Sequence, residues 1–325
     1  VRLVFAGSPS AAVPSLHALV ESEHDVVAVL TRDDTPQGRK RVLTPTPVAS
    51  AAEELGLPVI RSRRITDDVT ERIRALDADL GVIVAYGALL REPLLSTPRL
   101  GWINLHFSLL PRWRGAAPVQ RALMAGDRET GAAVFQLVPE LDAGVVYGSL
   151  PRELGGDETA GDLLRELARS GSLLLTAVVD QLADGSAVGV PQEGEVTLAP
   201  KLTLDDARLD FARDAAAVHD RYRGVTPEPG AFAEYGGLRV KVLELRTADA
   251  GTERPAPGRV EVLGRRVFVG TSSDALELVT VQPSGKKPMP AGDWIRGLPD
   301  GSRPSFDLST PEVDTTAADT TGGTR

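Results

Sequence analysis

The chain has 325 residues and carries 36 Lys and Arg against 45 Asp and Glu, a net charge of −9, with four histidines and no cysteine. That length predicts two domains, and the acidic balance argues against a surface coated in nucleic acid. The missing cysteines exclude disulfides, thiolate catalysis and cysteine metal sites, and His17, His24, His106 and His219 do not pair at metal-ligand spacing, so no metal is expected.

The first residues, RLVFAG (2–7), read at once as a strand, with no basic and apolar leader before them. No run of about 18 apolar residues follows. A soluble, cytoplasmic protein with no membrane partner is expected. AAVPSLHALVES (11–22) sets Val13, Leu16, Leu19 and Val20 on one helical face. DVVAVLTR (25–32) is a second strand. TPVASAAEELG (46–56) reads as a helix closed by Gly56. LPVIR (57–61) is a short strand, and TDDVTERIRAL (66–76) a helix capped by Thr66. LGVIVAYG (80–87) is wholly apolar, as inside a parallel sheet. GWINLHF (101–107) is the next strand, followed by a helix over 116–126, strands over 130–138 and 144–154, and a long helix over 159–185.

This alternation predicts an α/β class: an open, mostly parallel, doubly wound sheet. Ligands in such sheets bind beyond the carboxyl ends of the strands. That directs attention to 7–9, 85–87 and the end of 101–107. From about 186 the pattern changes. Residues 186–206 hold no long amphipathic element and read as a linker. A helical piece over 212–222 precedes short alternating strands, which predict a small barrel or sandwich of about 100 residues. The boundaries are 1–185, a linker 186–206, a β domain 207–306 and a tail 307–325. The tail is polar and poor in large apolar residues, so it is expected to be disordered.

FAGSPSAAVP holds one glycine where a dinucleotide fingerprint needs three, and no P-loop is present. Nucleotide-cofactor chemistry therefore loses most of its weight. Asn104 and His106 stand two residues apart in an apolar strand, so they share one face. An amide and an imidazole together suit carbonyl chemistry, through oxyanion stabilisation and proton transfer. The plainer alternative is a polar pair satisfied by backbone. VPELDAGVVYG supplies Glu140 and Asp142, and Ala143 with Gly144 permit a tight turn toward the same edge; an ordinary Asx turn is the alternative. SLLPRWRGAAP (108–118) is a loop stiffened by Pro111 and Pro118. Arg112 and Arg114 suit carboxylates or phosphates, or a plain basic turn. GRKR (38–41) and RSRR (61–64) are basic clusters, each of which alone reads as a solvated loop.

NLHFSLLPRWRGAAPVQRAL followed by LDAG resembles the formyltransferases that use 10-formyltetrahydrofolate. FAGSP, VAYG and QPSGKKPM extend the resemblance over nearly the whole chain, and PRWRGAAPVQ points to its tRNA-type and closely related members. The resemblance implies a Rossmann-like catalytic domain and an OB-like β-barrel that helps hold tRNA. It implies formyl transfer from 10-formyltetrahydrofolate to the methionine amine of initiator Met-tRNA. A monomer is expected. It matches Asn104, His106 and Asp142 to the catalytic trio, and Ser108, Leu109, Leu110 and Pro111 to the folate-binding segment. The tRNA loop corresponds to 36–47, with Arg39, Lys40 and Arg41 as its basic residues. Lys40 replaces a usual glycine and Val42 a usual lysine. That loop is expected to be mobile. Further candidates for phosphate contact are Arg239, Lys241, Arg265, Arg266, Lys286 and Lys287. Competing readings are formyl transfer to a small amine, hydrolysis of the folate, and a non-catalytic RNA-binding module.

Overall fold

The structure is a computed structural model that describes residues 1–38, 40–299 and 302–308. In chain order its first unit holds β1 (Arg2–Gly7), α1 (Val13–Val20), β2 (Asp25–Thr31), β3 (Thr35–Gln37), β4 (Val42–Thr44), α2 (Pro47–Glu54), β5 (Val59–Arg61), α3 (Asp67–Arg74) and β6 (Leu80–Val84). It continues with β7 (Trp102–His106), β8 (Arg114–Gly115), α4 (Pro118–Met124), β9 (Glu129–Gln136), β10 (Val146–Glu153), α5 (Ala160–Asp184) and β11 (Leu198–Ala199). Contacts divide the chain into Val1–Asp206 with Asp220–Pro229, and Ala207–His219 with the described residues from Gly230.

Among the described residues of the first unit, the main sheet runs β10-β9-β7-β6-β1-β2-β5. Its strands from β5 to β7 pair parallel, and β9 and β10 are antiparallel additions at one edge. Strand alternation explains its two cores. Leu3, Phe5, Val82, Ile103 and Leu105 pack with Leu16, Val48 and Leu167 of the helices on one face. Val4, Ala6, Ile83 and Trp102 pack with Val69, Ile73 and Leu94 on the other. Each fully buried side chain of this size contributes about 1.5–3 kcal/mol. Gly81 is needed because a Cβ there would stand 2.1 Å from the Trp102 ring.

The helices keep their sequence boundaries to within a few residues. Thr66 caps α3 by accepting from the Val69 amide at 3.4 Å. Thr159 and Asp162 form a reciprocal cap at the start of α5. These side chains satisfy amides that the first helical turn leaves without partners, worth about 1 kcal/mol each.

In the first unit the structure departs from the sequence reading at 36–47 and at 186–206. The stretch read as a loop at 36–47 contains the β3–β4 hairpin, paired from Thr35↔Thr44 to Gln37↔Val42. The stretch read as a linker at 186–206 lies within the first unit, with Val190 bridged to Val146 and β11 paired to β8.

After the helix α6 (Ala215–Gly224), the second unit is a barrel-like antiparallel sheet. It holds β12 (Phe232–Tyr235), β13 (Leu238–Thr247), β14 (Val260–Leu263), β15 (Arg266–Gly270), β16 (Ala275–Pro283), β17 (Met289–Pro290) and a short helix α7 (Ala291–Arg296). Register irregularities at Val242–Leu245 bend β13, as bulges do. Gly236 and Gly237 take positive φ in the tight β12–β13 turn. Phe306 stacks between Phe211 and Trp294. The amide of Asp307 donates to the Glu234 carbonyl at 2.7 Å, so ordered packing extends past the expected start of the tail. Residues 309–325 of that tail lie outside the described residues.

Candidate active site

Strand β7 sorts its side chains by alternation. Ile103, Leu105 and Phe107 enter the helix-covered core. Asn104 and His106 point to the other face near the carboxyl end. The register sets Asn104 between Ile83 and Phe135, and His106 beside Ala133. The imidazole is buried and stands edge-on to the Phe135 ring, with centroids 6.2 Å apart.

The loop after β7 closes on itself. Ser108 Oγ donates to the Arg112 carbonyl at 2.7 Å, and the Arg112 amide donates to the Leu109 carbonyl at 3.1 Å. Ser108 and Pro111 are buried, and Leu109 and Leu110 half-buried. The Ser108 hydroxyl proton is thereby spent inside the loop. Trp113 follows in left-handed backbone, φ 62°. Its carbonyl accepts from His106 Nε2 at 2.9 Å. A carbonyl only accepts, so Nε2 carries the proton and the neutral ring keeps its lone pair on Nδ1.

Asp142 reaches the same place from the β9–β10 connection. It too has left-handed backbone, φ 45°. Its Oδ2 accepts from the Gly115 amide at 2.8 Å and lies 3.8 Å from His106 Nδ1. Gly144 permits the turn through space rather than through positive φ: a Cβ there would stand 1.8 Å from the Gln136 carbonyl oxygen. Burial holds the His106 pKa below its ordinary value, against the opposing pull of the Asp142 charge and the Trp113 hydrogen bond. The resting ring is therefore neutral at neutral pH.

Asn104 completes the group. Its Oδ1 is buried and has no hydrogen-bond partner among the described residues. Leaving such an acceptor unpaired costs about 1–3 kcal/mol, an expense that native sites retain where a ligand supplies the partner.

Other residues singled out in the sequence fare differently. Arg112 is held by both oxygens of Asp127 at 2.8 and 3.0 Å, and Trp113 Nε1 donates to the same carboxylate at 2.7 Å. Arg114 donates to Gln192 Oε1 at 3.1 and 2.6 Å. Both arginines thus brace the loop. A cavity of about 270 Å³ lies beside it, lined by Leu109, Arg112, Trp113, Asp127 and Thr130 among others, and none of the trio lines it. Lys40 and Arg41 are exposed at the tip of the β3–β4 hairpin. Arg39 lies outside the described residues. In the second unit Arg239, Lys241, Arg265, Lys286 and Lys287 are exposed. The Arg266 charge is instead met by Glu277 at 2.8 Å and by Asp249. Among the described residues no three or more His, Asp or Glu cluster as a metal site, and no helix is long and apolar enough to cross a membrane.

Sequence reasoning missed the partners that fix this geometry: the Trp113 carbonyl, the Gly115 amide, Gln192 and Thr197. Gln192 Nε2 donates to the Asp142 carbonyl at 2.8 Å and to the Gly144 carbonyl at 2.9 Å. Thr197 Oγ1 accepts from the Trp113 amide at 2.8 Å. No local pattern in 186–206 announces either residue, because their partners lie far away in the chain.

A family model described as formyl transferase matches residues 1–179, and its C-terminal counterpart matches 201–299. The methionyl-tRNA formyltransferase of Leifsonia xyli is 62% identical over 297 residues, covering 91% of this chain and 97% of the relative. That of Clavibacter sepedonicus is 58% identical over 299 residues, covering 92% and 97%. Among solved structures, the N-formyltransferase from Helicobacter canadensis in complex with folinic acid and dTDP-3-aminofucose superposes with a TM-score of 0.65 at 14% identity. That match covers 86% of this chain and 98% of the other, and carries the fold alone.

Proposed function

The chain belongs to the methionyl-tRNA formyltransferase family, and from that premise we propose that Asn104, His106 and Asp142 carry its chemistry. The reaction moves the formyl group of 10-formyltetrahydrofolate to the α-amino group of methionine on initiator Met-tRNA. The observation that carries the residue assignment is the pairing of His106 Nδ1 with the Asp142 carboxylate, beside an Asn104 acceptor that nothing among the described residues satisfies.

When bound, 10-formyltetrahydrofolate supplies an electrophilic formyl carbon on a nitrogen leaving group. Asn104 Nδ2 donates to the formyl oxygen as negative charge develops there, and the buried Oδ1 accepts from the incoming amine. Nδ1 of His106 takes the amine proton as the new C–N bond forms. The Asp142 carboxylate stabilises the resulting imidazolium. His106 then returns that proton to the departing folate nitrogen, so the ring ends neutral and the formyl carbon–folate nitrogen bond is broken. The loop 108–111 borders the folate, with Leu109 and Leu110 offering half-buried apolar surface.

Lys40 and Arg41, with Arg39, meet phosphates of the acceptor end. Local basic residues suffice for this in an acidic protein, because phosphate binding depends on nearby charge rather than net charge. His106, Asp142, Gly115 and Gln192 assemble within one chain, so the proposed chemistry draws on no residue of a second copy. The reduced folate and aminoacylated tRNA substrates accord with work in the cytoplasm.

The test is formyl transfer from 10-formyltetrahydrofolate to Met-tRNA by wild type and His106→Ala, with a small amine as competing acceptor. Wild-type formylation lost in the variant supports the reading. Preferential formylation of the small amine overturns it, as does formate release that needs no acceptor.

A further inference from the structure

We propose that the segment 190–199 is a clasp in which Gln192 and Thr197 act as positioning residues for His106, an inference that rests on the proton-transfer role given to that imidazole above. His106 faces two groups, one at each ring nitrogen: the Trp113 carbonyl at Nε2 and the Asp142 carboxylate at Nδ1. Both come from non-glycine residues in left-handed backbone. That conformation is unfavourable for an L side chain and persists where surrounding bonds enforce it.

The clasp supplies those bonds. Thr197 Oγ1 accepts from the Trp113 amide at 2.8 Å, and the Thr197 carbonyl accepts from the Arg114 amide at 2.9 Å. Gln192 Nε2 bridges the Asp142 and Gly144 carbonyls at 2.8 and 2.9 Å, while its Oε1 accepts from the Arg114 guanidinium at 3.1 and 2.6 Å. Gln192 therefore uses both ends of its amide to tie the Asp142 turn to the loop that carries Trp113. The reciprocal Val190–Val146 bonds, at 2.8 and 2.9 Å, and the β11–β8 pairing anchor the clasp on either side. Neither side chain is aimed at the reacting groups. Each acts on the residue that touches His106.

Four variants test this: Gln192→Leu, which loses both ends; Gln192→Glu, which keeps the acceptor and loses the bridge; Thr197→Val; and Thr197→Ser, which restores the acceptor. Misplacing a catalytic group by an ångström costs roughly 100-fold in rate. Gln192→Leu, Gln192→Glu and Thr197→Val should each lower kcat roughly 10- to 100-fold, with smaller changes in KM for folate and Met-tRNA. The same variants should move the His106 ring-nitrogen signals in NMR titrations, and Thr197→Ser should return both readouts toward wild type. If Gln192→Leu fails to fold, Gln192→Glu and Thr197→Val carry the test. Wild-type kcat together with unmoved His106 signals in the folded variants overturns the clasp. If wild type itself makes no formyl-Met-tRNA, the parent reading fails. The ring-nitrogen signals then still decide whether the clasp positions His106.

Discussion

His106 Nδ1 stands 3.8 Å from Asp142 Oδ2, beyond a direct hydrogen bond, while Nε2 is spent on the Trp113 carbonyl at 2.9 Å. A neutral ring is held in one tautomer by the short contact. A protonated ring gains from the carboxylate across the longer one. The arrangement favours an imidazole that waits neutral and accepts a proton on the side of Asp142.

The three central residues should fail in distinguishable ways. Asn104→Ala removes an oxyanion donor and should lower kcat by 10²–10³, about 3–4 kcal/mol. His106→Ala should cost roughly 10²–10⁴ through lost proton transfer. Asp142→Asn leaves a group of similar shape without its charge and should lower kcat with little change in folate affinity. Steady-state kinetics with separate folate-binding titrations check this, and near-normal turnover by all three variants rejects the assignment.

Acid should cost this protein both rate and stability through His106. Burial lowers its pKa in the folded state, whereas the unfolded chain takes up the proton near pH 6.5. Unfolded chain then binds more protons, so the stabilising contribution is complete above about pH 6.5 and is lost as pH falls toward the folded pKa, at up to about 1.4 kcal/mol per pH unit. Urea titrations should show wild type losing stability relative to His106→Asn over that window. Asp142→Asn removes the charge that raises the His106 pKa, so its NMR titration should move further to acid. A shift to higher pH contradicts the electrostatic account.

Gly144→Ala should disturb the site from behind. Its Cβ would meet the Gln136 carbonyl at 1.8 Å, so the turn that presents Asp142 must shift. Overpacking of this kind costs about 1–3 kcal/mol. Melting curves and formylation assays should show a lower Tm together with a lower kcat. A crystal structure of the variant with an unmoved Asp142 would rule this out.

Lys40→Ala and Arg41→Ala should raise KM for Met-tRNA and leave the folate KM alone. Each lost phosphate contact should reduce the salt slope of tRNA binding by roughly 0.7–0.9 on a log–log plot. Filter binding across a range of salt concentrations measures this, and unchanged slopes in the double variant remove the hairpin from the tRNA contact.

Much was legible in the sequence because it is local. Alternation alone separated Asn104 and His106 from Ile103, Leu105 and Phe107, and the structure keeps that division. Thr66 and Gly56 marked helix ends through single side-chain and backbone preferences. The motif NLHFSLLP with LDAG carried the family. Tertiary structure alone decided the rest. It tied the stretch around Gln192 and Thr197, an apparent linker, to the loops that carry Asp142 and Trp113, and committed the Ser108 hydroxyl, Arg112 and Arg114 to partners within the fold. The physical reason is distance along the chain. Trp113 meets Thr197 across 84 residues, and Gln192 meets Asp142 across 50. Hydrophobic period reports which face of an element is buried, but a hydrogen bond between distant polar side chains and backbone leaves no period to read.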